Sequence, residues 1–194
     1  MEQNKVKKVV IIGPESTGKS TLCELLAQHF KTAWCAEFAR EYLLTNGTNY
    51  SFEDLEIIAK GQLALEEKAT SMVNSQWSIQ KNYGLSTVDY GLLFLDTDMY
   101  VIKVWCEYVF GKCHTFILEE IVNRKYDLYL LCNIDLPWVK DELREYPDEK
   151  PRQELYKIYK DILINQQVPW VEVSGNYEQR LQAAIKAVNK VVEI

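Results

Sequence analysis

Eight residues near the start of the chain, from Gly13 to Ser20, have the spacing G-x-x-x-x-G-K-S. Gly13 lets the chain turn sharply as it leaves a strand, and Gly18 lets bare backbone approach a phosphate group. The amides between them, with the positive end of a following helix, form a concave anion site. A β-branched run precedes the motif and a helical pattern begins at Lys19, which is the context that a phosphate-binding P-loop requires.

The side chains of this motif predict which part of a nucleotide each of them holds. Lys19 would lie over the β- and γ-phosphates, and the hydroxyl of Ser20 would ligate magnesium. We therefore predict ATP and Mg²⁺ as cofactors. The predicted nucleotide-binding residues are consecutive in the chain: Gly13, Pro14, Glu15, Ser16, Thr17, Gly18, Lys19, Ser20 and Thr21.

A second chemical signal is the apolar stretch 91–95, which ends in Asp96. A buried strand that ends in a carboxylate has the form of a Walker B element, whose acid holds magnesium directly or through water. Asp96 is therefore predicted to share the metal with Ser20. For Asp98 two roles stay open, since it either contacts the phosphoryl acceptor or caps the next helix.

A third signal is the charged stripe that follows the short predicted strand 32–36. Glu37, Arg40 and Glu41 recur at i, i+3 and i+4, so they share one face of a helical turn. In open α/β sheets, ligands bind outside the carboxyl ends of the strands. The stripe therefore predicts an acceptor site, and the alternative is a solvated face with a local ion pair.

Residues 136–152 contain several prolines and many charged side chains, a composition typical of a mobile flap rather than a core. Phosphoryl transfer needs cations over the migrating group, and a closing lid supplies them while it excludes water. We therefore predict a lid in which Arg144 and Arg152 act on the γ-phosphate. The alternative is that both are ordinary surface arginines.

The elements that must position these residues follow from the hydrophobic pattern. Short apolar runs at 6–12, 32–36, 91–96, 128–132 and 169–173 predict strands, and amphipathic helical patterns separate them. This alternation predicts a three-layer α/β/α fold with a parallel sheet of about five strands. The size of the chain predicts a single domain over 1–194.

Composition limits which partners the protein could bind and in which cellular compartment we expect it. The chain has 194 residues and a formal net charge of -6, which disfavours sequence-independent binding to nucleic acid. Its five cysteines form no C-x-x-C pair, a pattern typical of reduced cytoplasmic proteins, and Cys106, Cys113 and His114 lack a fourth ligand at a metal-site spacing. The apolar run before Gly13 is too short for a membrane span, so we expect a cytoplasmic protein without a membrane partner. The oligomeric state stays open.

The combination of these stretches resembles the nicotinamide riboside kinase domain of NadR-type proteins. The stretches that carry the resemblance are GPESTGKST, EFAREYL, FLDTDMYVIKVW with EYVFG, and YDLYLLCNIDLPWVKDELR with the Arg152-Gln153 pair that follows it. The resemblance implies a P-loop kinase that transfers phosphate from ATP to the 5′-hydroxyl of nicotinamide riboside, giving NMN. The chain has no H-x-G-H motif, so neither adenylyl transfer nor DNA-bound regulation is inferred.

On this hypothesis, Glu37, Asp96 or Asp98 accepts the proton of the acceptor hydroxyl. Glu37 and Asp96 are preferred because both follow strand ends. Two other functions stay open at this point: a P-loop kinase for another nucleoside or nucleotide, and a nucleotide-gated binding or regulatory ATPase.

The acceptor implied by the resemblance carries a cationic pyridinium ring, on which an aromatic side chain could stack. Tyr42, Trp138 and Trp105 are the candidates, although Trp105 is expected to belong to the core.

Overall fold

The computed structural model describes residues 6–83, 91–143, 145–146 and 148–192. The strands are β1 (Val6–Ile12), β2 (Ala33–Cys35), β3 (Gly91–Asp96), β4 (Leu128–Cys132) and β5 (Trp170–Val173). The helices are α1 (Lys19–Phe30), α2 (Phe38–Asn46), α3 (Phe52–Asn82), α4 (Met99–Phe110), α5 (Thr115–Asn123), α6 (Glu149–Asn165) and α7 (Tyr177–Val192). The predicted strands are confirmed, with ends that differ by no more than two residues.

The five strands form one parallel sheet in the order β2-β3-β1-β4-β5. β1 is therefore central, with β3 on one side and β4 on the other. Ile11 pairs with Asp96, so the P-loop and the acidic strand end leave the same edge of the sheet side by side. This is the edge at which ligands of open α/β sheets bind.

Helices cover both faces of the sheet, which confirms the predicted three-layer fold. Alternate side chains of β1 point to opposite faces: Val9 and Ile11 pack toward α1 and α7, whereas Val10 and Ile12 pack toward α3, α4 and α6. A smaller apolar cluster joins α2, α3, α4 and α5 at one end of the sheet. Because β1 is buried on both faces, its sequence is a continuous apolar run.

Two helices begin with reciprocal capping bonds. At the start of α3, the Ser51 amide donates to Asp54 Oδ2 at 2.7 Å and the Asp54 amide donates to Ser51 Oγ at 3.3 Å. Asn176 and Gln179 exchange the equivalent bonds at the start of α7, each at 3.0 Å. α3 continues to Asn82.

The predicted lid over 136–152 is too long by its last turn. α6 begins at Glu149, so Arg152 lies in its first turn and is buried. Pro151 does not prevent this, because the first amides of a helix have no partner within the helix that proline could remove. We use the name lid segment for residues 136–148. Arg144 lies outside the described residues.

All five cysteines are free thiols, and all but Cys113 are buried. Within the described ranges, no helix combines the length and the apolar stretch needed to cross a bilayer.

Candidate active site

The loop between β1 and α1 has the backbone geometry that its sequence requires. Gly13 and Gly18 adopt φ angles of 146° and 76°, which side-chain-bearing residues rarely adopt. A Cβ on Gly13 would lie 2.8 Å from the Cys132 carbonyl oxygen, so substitution would push the loop away from β4. Lys19 Nζ donates to the Pro14 carbonyl at 3.0 Å, which folds the lysine over the loop. The loop therefore has the conformation that the predicted phosphate cradle needs.

The predicted metal ligands lie together next to this loop. The Ser20 hydroxyl lies close enough to the Asp96 carboxylate to oppose the rise of its pKa. Asp96 is 1 % exposed, and its Oδ1 has no hydrogen-bond partner among the residues that the structure describes. Burial raises the pKa of Asp96, and the nearby Lys19 ammonium opposes this rise. An orphaned carboxylate oxygen beside a hydroxyl is a donor set that fits Mg²⁺.

In the described part of the chain, no cluster of three or more His, Cys, Asp or Glu side chains could hold a metal ion. A magnesium ion here would therefore depend on the nucleotide phosphates for further ligands, as is usual for this metal.

A cavity of about 420 Å³ extends from the P-loop to helices α2, α4 and α6. Part of its wall is formed by Trp105, Tyr108, Glu145 and Tyr146, which we call the aromatic chamber. Tyr108 and Tyr146 meet edge to face with their ring centroids 5.6 Å apart. Tyr50 connects Trp105 and Glu145 through its hydroxyl. Trp105 Nε1 donates to the Tyr50 hydroxyl at 2.9 Å, and that hydroxyl donates to Glu145 at 3.1 Å.

Glu37 lies in the cavity wall, at the residue that precedes α2. Its carboxylate makes no capping bond to the helix, so it stays available to a ligand. Burial, followed by repulsion from Asp96, raises the pKa of Glu37 to about 7, against the attraction of Lys19. A carboxylate with a pKa near neutrality suits general-base catalysis.

The backbone beside Glu37 is held by Gln62 of α3, which is buried and which the sequence pattern did not single out. Gln62 Oε1 accepts from the Phe38 amide at 2.7 Å, and its Nε2 donates to the Ala36 carbonyl at 3.2 Å. The only sequence signal is a polar residue on the inner face of an otherwise apolar helix.

The charged stripe on α2 divides between the cavity and solvent. Arg40 lines the cavity and forms a two-bond salt bridge with Asp141 of the lid segment, at 3.1 and 3.2 Å. Glu41 is exposed and does not line the cavity, so the geometry gives no support to its predicted contact with the acceptor. The reason is geometric, since α2 turns Arg40 and Glu41 to different sides.

The three candidate stacking aromatics lie in different surroundings. Tyr42 donates its hydroxyl to Asp54 at 2.5 Å and does not border the cavity. Trp138 also lies outside the cavity lining, and its Nε1 points to Glu15 at 3.4 Å. Trp105 packs against the apolar cluster of α2, α3, α4 and α5, as expected for a core residue, and it also lines the cavity as part of the aromatic chamber. Its position on α4 was visible in the sequence, but the gap that it faces was not.

Asp98 caps α4 and does not border the cavity, so the capping alternative is confirmed and the predicted acceptor contact is wrong. It accepts from the amides of Tyr100 and Val101 at 3.0 and 3.3 Å and from the Tyr129 hydroxyl at 2.7 Å. Thr97, between the two acids, has a φ of 92°. This left-handed turn directs Asp96 toward the P-loop while Asp98 points into the core.

The predicted lid position of Arg152 is wrong. Its side chain is 4 % exposed, does not line the cavity, and donates to the Leu136 carbonyl at 3.5 Å. Arg152 therefore supports the beginning of the lid segment from α6.

Arg180 of α7 is a buried cation that sequence reasoning missed. Its guanidinium donates at 2.8 Å to the carbonyls of Thr17, Asn133 and Gly175. It also pairs with Asp135, whose other oxygen accepts from the Gly175 amide. Arg180 thus joins the P-loop to the loops after β4 and β5. Its helical spacing placed it beside apolar residues, but no local signal indicated which loops it would reach.

A glycine-rich loop after the central strand, with a buried acid at the end of the neighbouring parallel strand, defines a P-loop nucleotide-binding protein. The AAA_28 family model, described as "AAA domain", matches residues 8–180. The chain belongs to this family.

Comparison with individual proteins confirms the resemblance to NadR-type proteins. The chain is 27% identical over 192 residues to the "Trifunctional NAD biosynthesis/regulator protein NadR" of Escherichia coli (strain K12), covering 96% of this chain and 43% of that protein. It therefore spans less than half the length of this curated relative.

Solved structures show the same fold. A NadR protein in complex with NR superposes with a TM-score of 0.70 at 24% identity, over 97% of this chain and 50% of that one. Thymidylate kinase from Ehrlichia chaffeensis superposes with a TM-score of 0.60 at 14% identity, over 94% and 98% of the two chains. The molecule thus has the fold of P-loop kinases.

Proposed function

We propose that the protein is an ATP-dependent kinase that phosphorylates the 5′-hydroxyl of nicotinamide riboside, giving NMN. The observation that carries this proposal is the single cavity that joins the P-loop to the aromatic chamber, with Glu37 in its wall. The Escherichia coli relative is named for NAD biosynthesis, which supports the same class of acceptor.

At the phosphate end, the P-loop amides and Lys19 hold and orient the triphosphate. Lys19 leaves the Pro14 carbonyl, its present partner, and moves to the phosphate oxygens. Magnesium, when bound by Ser20 and Asp96, neutralises charge on the phosphates. Arg144 remains our predicted lid cation for the γ-phosphate.

At the acceptor end, Glu37 accepts the proton as the sugar oxygen attacks the γ-phosphorus in line with the leaving oxygen. Its raised pKa makes the Glu37 carboxylate basic enough to take up a proton near neutral pH, and still acidic enough to release that proton afterwards. We prefer Glu37 to Asp96 as the base, because Asp96 has an orphaned oxygen better suited to the metal.

The aromatic chamber suits a cationic ring. Trp105, Tyr108 and Tyr146 offer π-faces and edges, and the Glu145 carboxylate adds a negative charge beside them. A pyridinium cation gains from both, whereas a neutral base gains only the stacking.

The test is a panel of nucleosides incubated with MgATP, with products identified by mass. We expect nicotinamide riboside to be converted to its monophosphate at a kcat/KM above that of neutral nucleosides. Lys19→Ala should lose turnover while keeping the circular dichroism spectrum of the parent protein. Preferred conversion of another nucleoside would replace the acceptor, and ATP hydrolysis that needs no acceptor and yields no phosphorylated product would indicate a nucleotide-gated ATPase.

A further inference from the structure

The third residue of the P-loop motif, Glu15, directs its side chain to the lid segment. Its Oε1 accepts from the Tyr146 amide at 2.7 Å and from Trp138 Nε1 at 3.4 Å. Its Oε2 accepts from the Glu145 amide at 2.9 Å. Both carboxylate oxygens of Glu15 are therefore used by the lid segment.

The next residue makes the same kind of connection. Ser16, with a left-handed φ of 56°, accepts from the Val139 amide through its Oγ at 3.0 Å. Two adjacent residues of the phosphate loop thus bind backbone amides near both ends of the lid segment. We call Glu15 and Ser16 the clasp.

The residues held by the clasp form part of the wall of the aromatic chamber. Glu145 and Tyr146, whose amides bond to Glu15, line the cavity and contact Tyr50 and Tyr108 respectively. Their side chains are positioned from the P-loop, across more than a hundred residues of sequence.

We propose that Glu15 is a positioning residue for the acceptor: it fastens the lid-segment wall of the aromatic chamber to the loop that holds the triphosphate. The role of this wall in acceptor binding rests on the proposed function, whereas the fastening itself does not. Acceptor affinity then depends on a residue of the phosphate motif that a phosphate-binding role would not require to be acidic.

The chemistry requires a carboxylate in particular. Glutamine offers one acceptor oxygen, and its NH₂ group would face the Glu145 or Tyr146 amide as a second donor. Hydrogen bonds to a charged acceptor are also stronger than neutral ones. Glu15→Gln therefore removes one of the two acceptor oxygens of Glu15 and weakens the bonds to the other with almost no change in size, and Ser16→Ala removes only the bond to Val139.

The first measurement is hydrogen exchange of the full chain without ligands. In Glu15→Gln we expect exchange in the peptide that holds the Glu145 and Tyr146 amides to be at least about tenfold faster, with α1 unchanged as evidence of an intact fold. Glu142→Gln is the matched control, because it removes the same charge from an exposed position in the lid segment. Equal exchange in Glu15→Gln and the parent protein would overturn the fastening.

The second measurement is steady-state kinetics with nicotinamide riboside and ATP varied separately. For Glu15→Gln we expect the acceptor KM to rise about tenfold and the ATP KM to stay within about threefold. A rise confined to the ATP KM would make Glu15 a nucleotide ligand and overturn the positioning role. If the parent protein fails to phosphorylate nicotinamide riboside, the proposed function fails, while the exchange result still decides the fastening.

Discussion

At the scale of single residues, the environment of Glu37 says most about the chemistry. It faces Asp96 and Lys19 across the cavity, and burial raises its pKa to about 7. An ordinary surface glutamate would be ionised throughout the physiological pH range, and its low pKa would make it a weak base and so a poor proton acceptor.

We predict that kcat/KM for the acceptor rises with pH between 6 and 8, with a midpoint near the Glu37 pKa of about 7. Glu37→Gln should lower kcat by about 10²- to 10⁴-fold and flatten this profile, because the base is lost. Steady-state rates across pH check both effects. A steep profile that survives in Glu37→Gln would assign the titration to another group.

The same shift has a consequence for stability. Since the pKa of Glu37 is raised above its ordinary value of 4.5, the folded state holds the proton more tightly than the unfolded chain does. The contribution of Glu37 to the free energy of unfolding is therefore present at low pH and declines as the pH rises from about 4.5 through about 7.

At the scale of elements, the position of Glu37 depends on how closely α2 and α3 approach. Gly61 of α3 faces the ring of Phe38, the first residue of α2, and a Cβ on Gly61 would lie 2.2 Å from that ring. The glycine in the middle of a long helix is thus explained by this close approach and not by a break in the helix.

We predict that Gly61→Ala destabilises the protein by about 1–3 kcal/mol through overpacking, more than the gain of up to about 1 kcal/mol in helix propensity. It should also lower kcat, because Phe38 directly follows Glu37 in the chain and a shift of Phe38 would displace the Glu37 carboxylate. Urea denaturation and steady-state kinetics test this. Ser71→Ala, on an exposed turn of α3, is the control and should change neither; an unchanged kcat in Gly61→Ala would contradict the coupling.

The boundary between the lid segment and α6 shows where element-scale prediction failed. Prolines and charges in 136–152 predicted a flap, yet Pro151 lies in the first turn of α6. Charged composition indicates exposure, but it does not locate a helix start to within a turn.

At the scale of the whole molecule, Arg180 connects three loops that converge on the nucleotide site. Its partners Thr17, Asn133 and Gly175 belong to the connections after β1, β4 and β5. One buried guanidinium therefore sets the relative positions of loops that are far apart in the sequence.

We predict that Arg180→Ala lowers the free energy of unfolding by about 3–5 kcal/mol, because it leaves buried carbonyls and Asp135 without their cation. It should also weaken ATP binding, since the Thr17 carbonyl loses its anchor. The stability and the ATP affinity of Arg180→Lys should lie between those of the parent protein and those of Arg180→Ala, because lysine keeps the positive charge but lacks the planar guanidinium. Urea denaturation and calorimetry with MgATP measure these effects. Lys186→Ala, exposed on α7, is the control, and a loss in Arg180→Ala no larger than in this control would contradict the role.

The sequence by itself determined the P-loop, the acidic end of β3, the amphipathic helices and the positions of the strands along the chain. These features depend on neighbours within a few residues: glycines where the backbone must turn, apolar periodicity where a face is buried, and an acid where a strand ends. The two capping boxes belong to the same group, since each is complete within four residues.

Only the tertiary structure decided which side chains share the cavity. It turned Asp98 into the core and Glu41 to solvent, and it brought Trp105 to the aromatic chamber. It also placed Arg152 against the lid segment and Arg180 beneath loops remote in sequence. The direction of a side chain depends on the rotation of its helix and on partners that arrive from other elements. Local sequence contains neither the rotation of the helix nor the partners from other elements. The same polar residue type is therefore predicted in the same way whether it faces a ligand, a helix end or water.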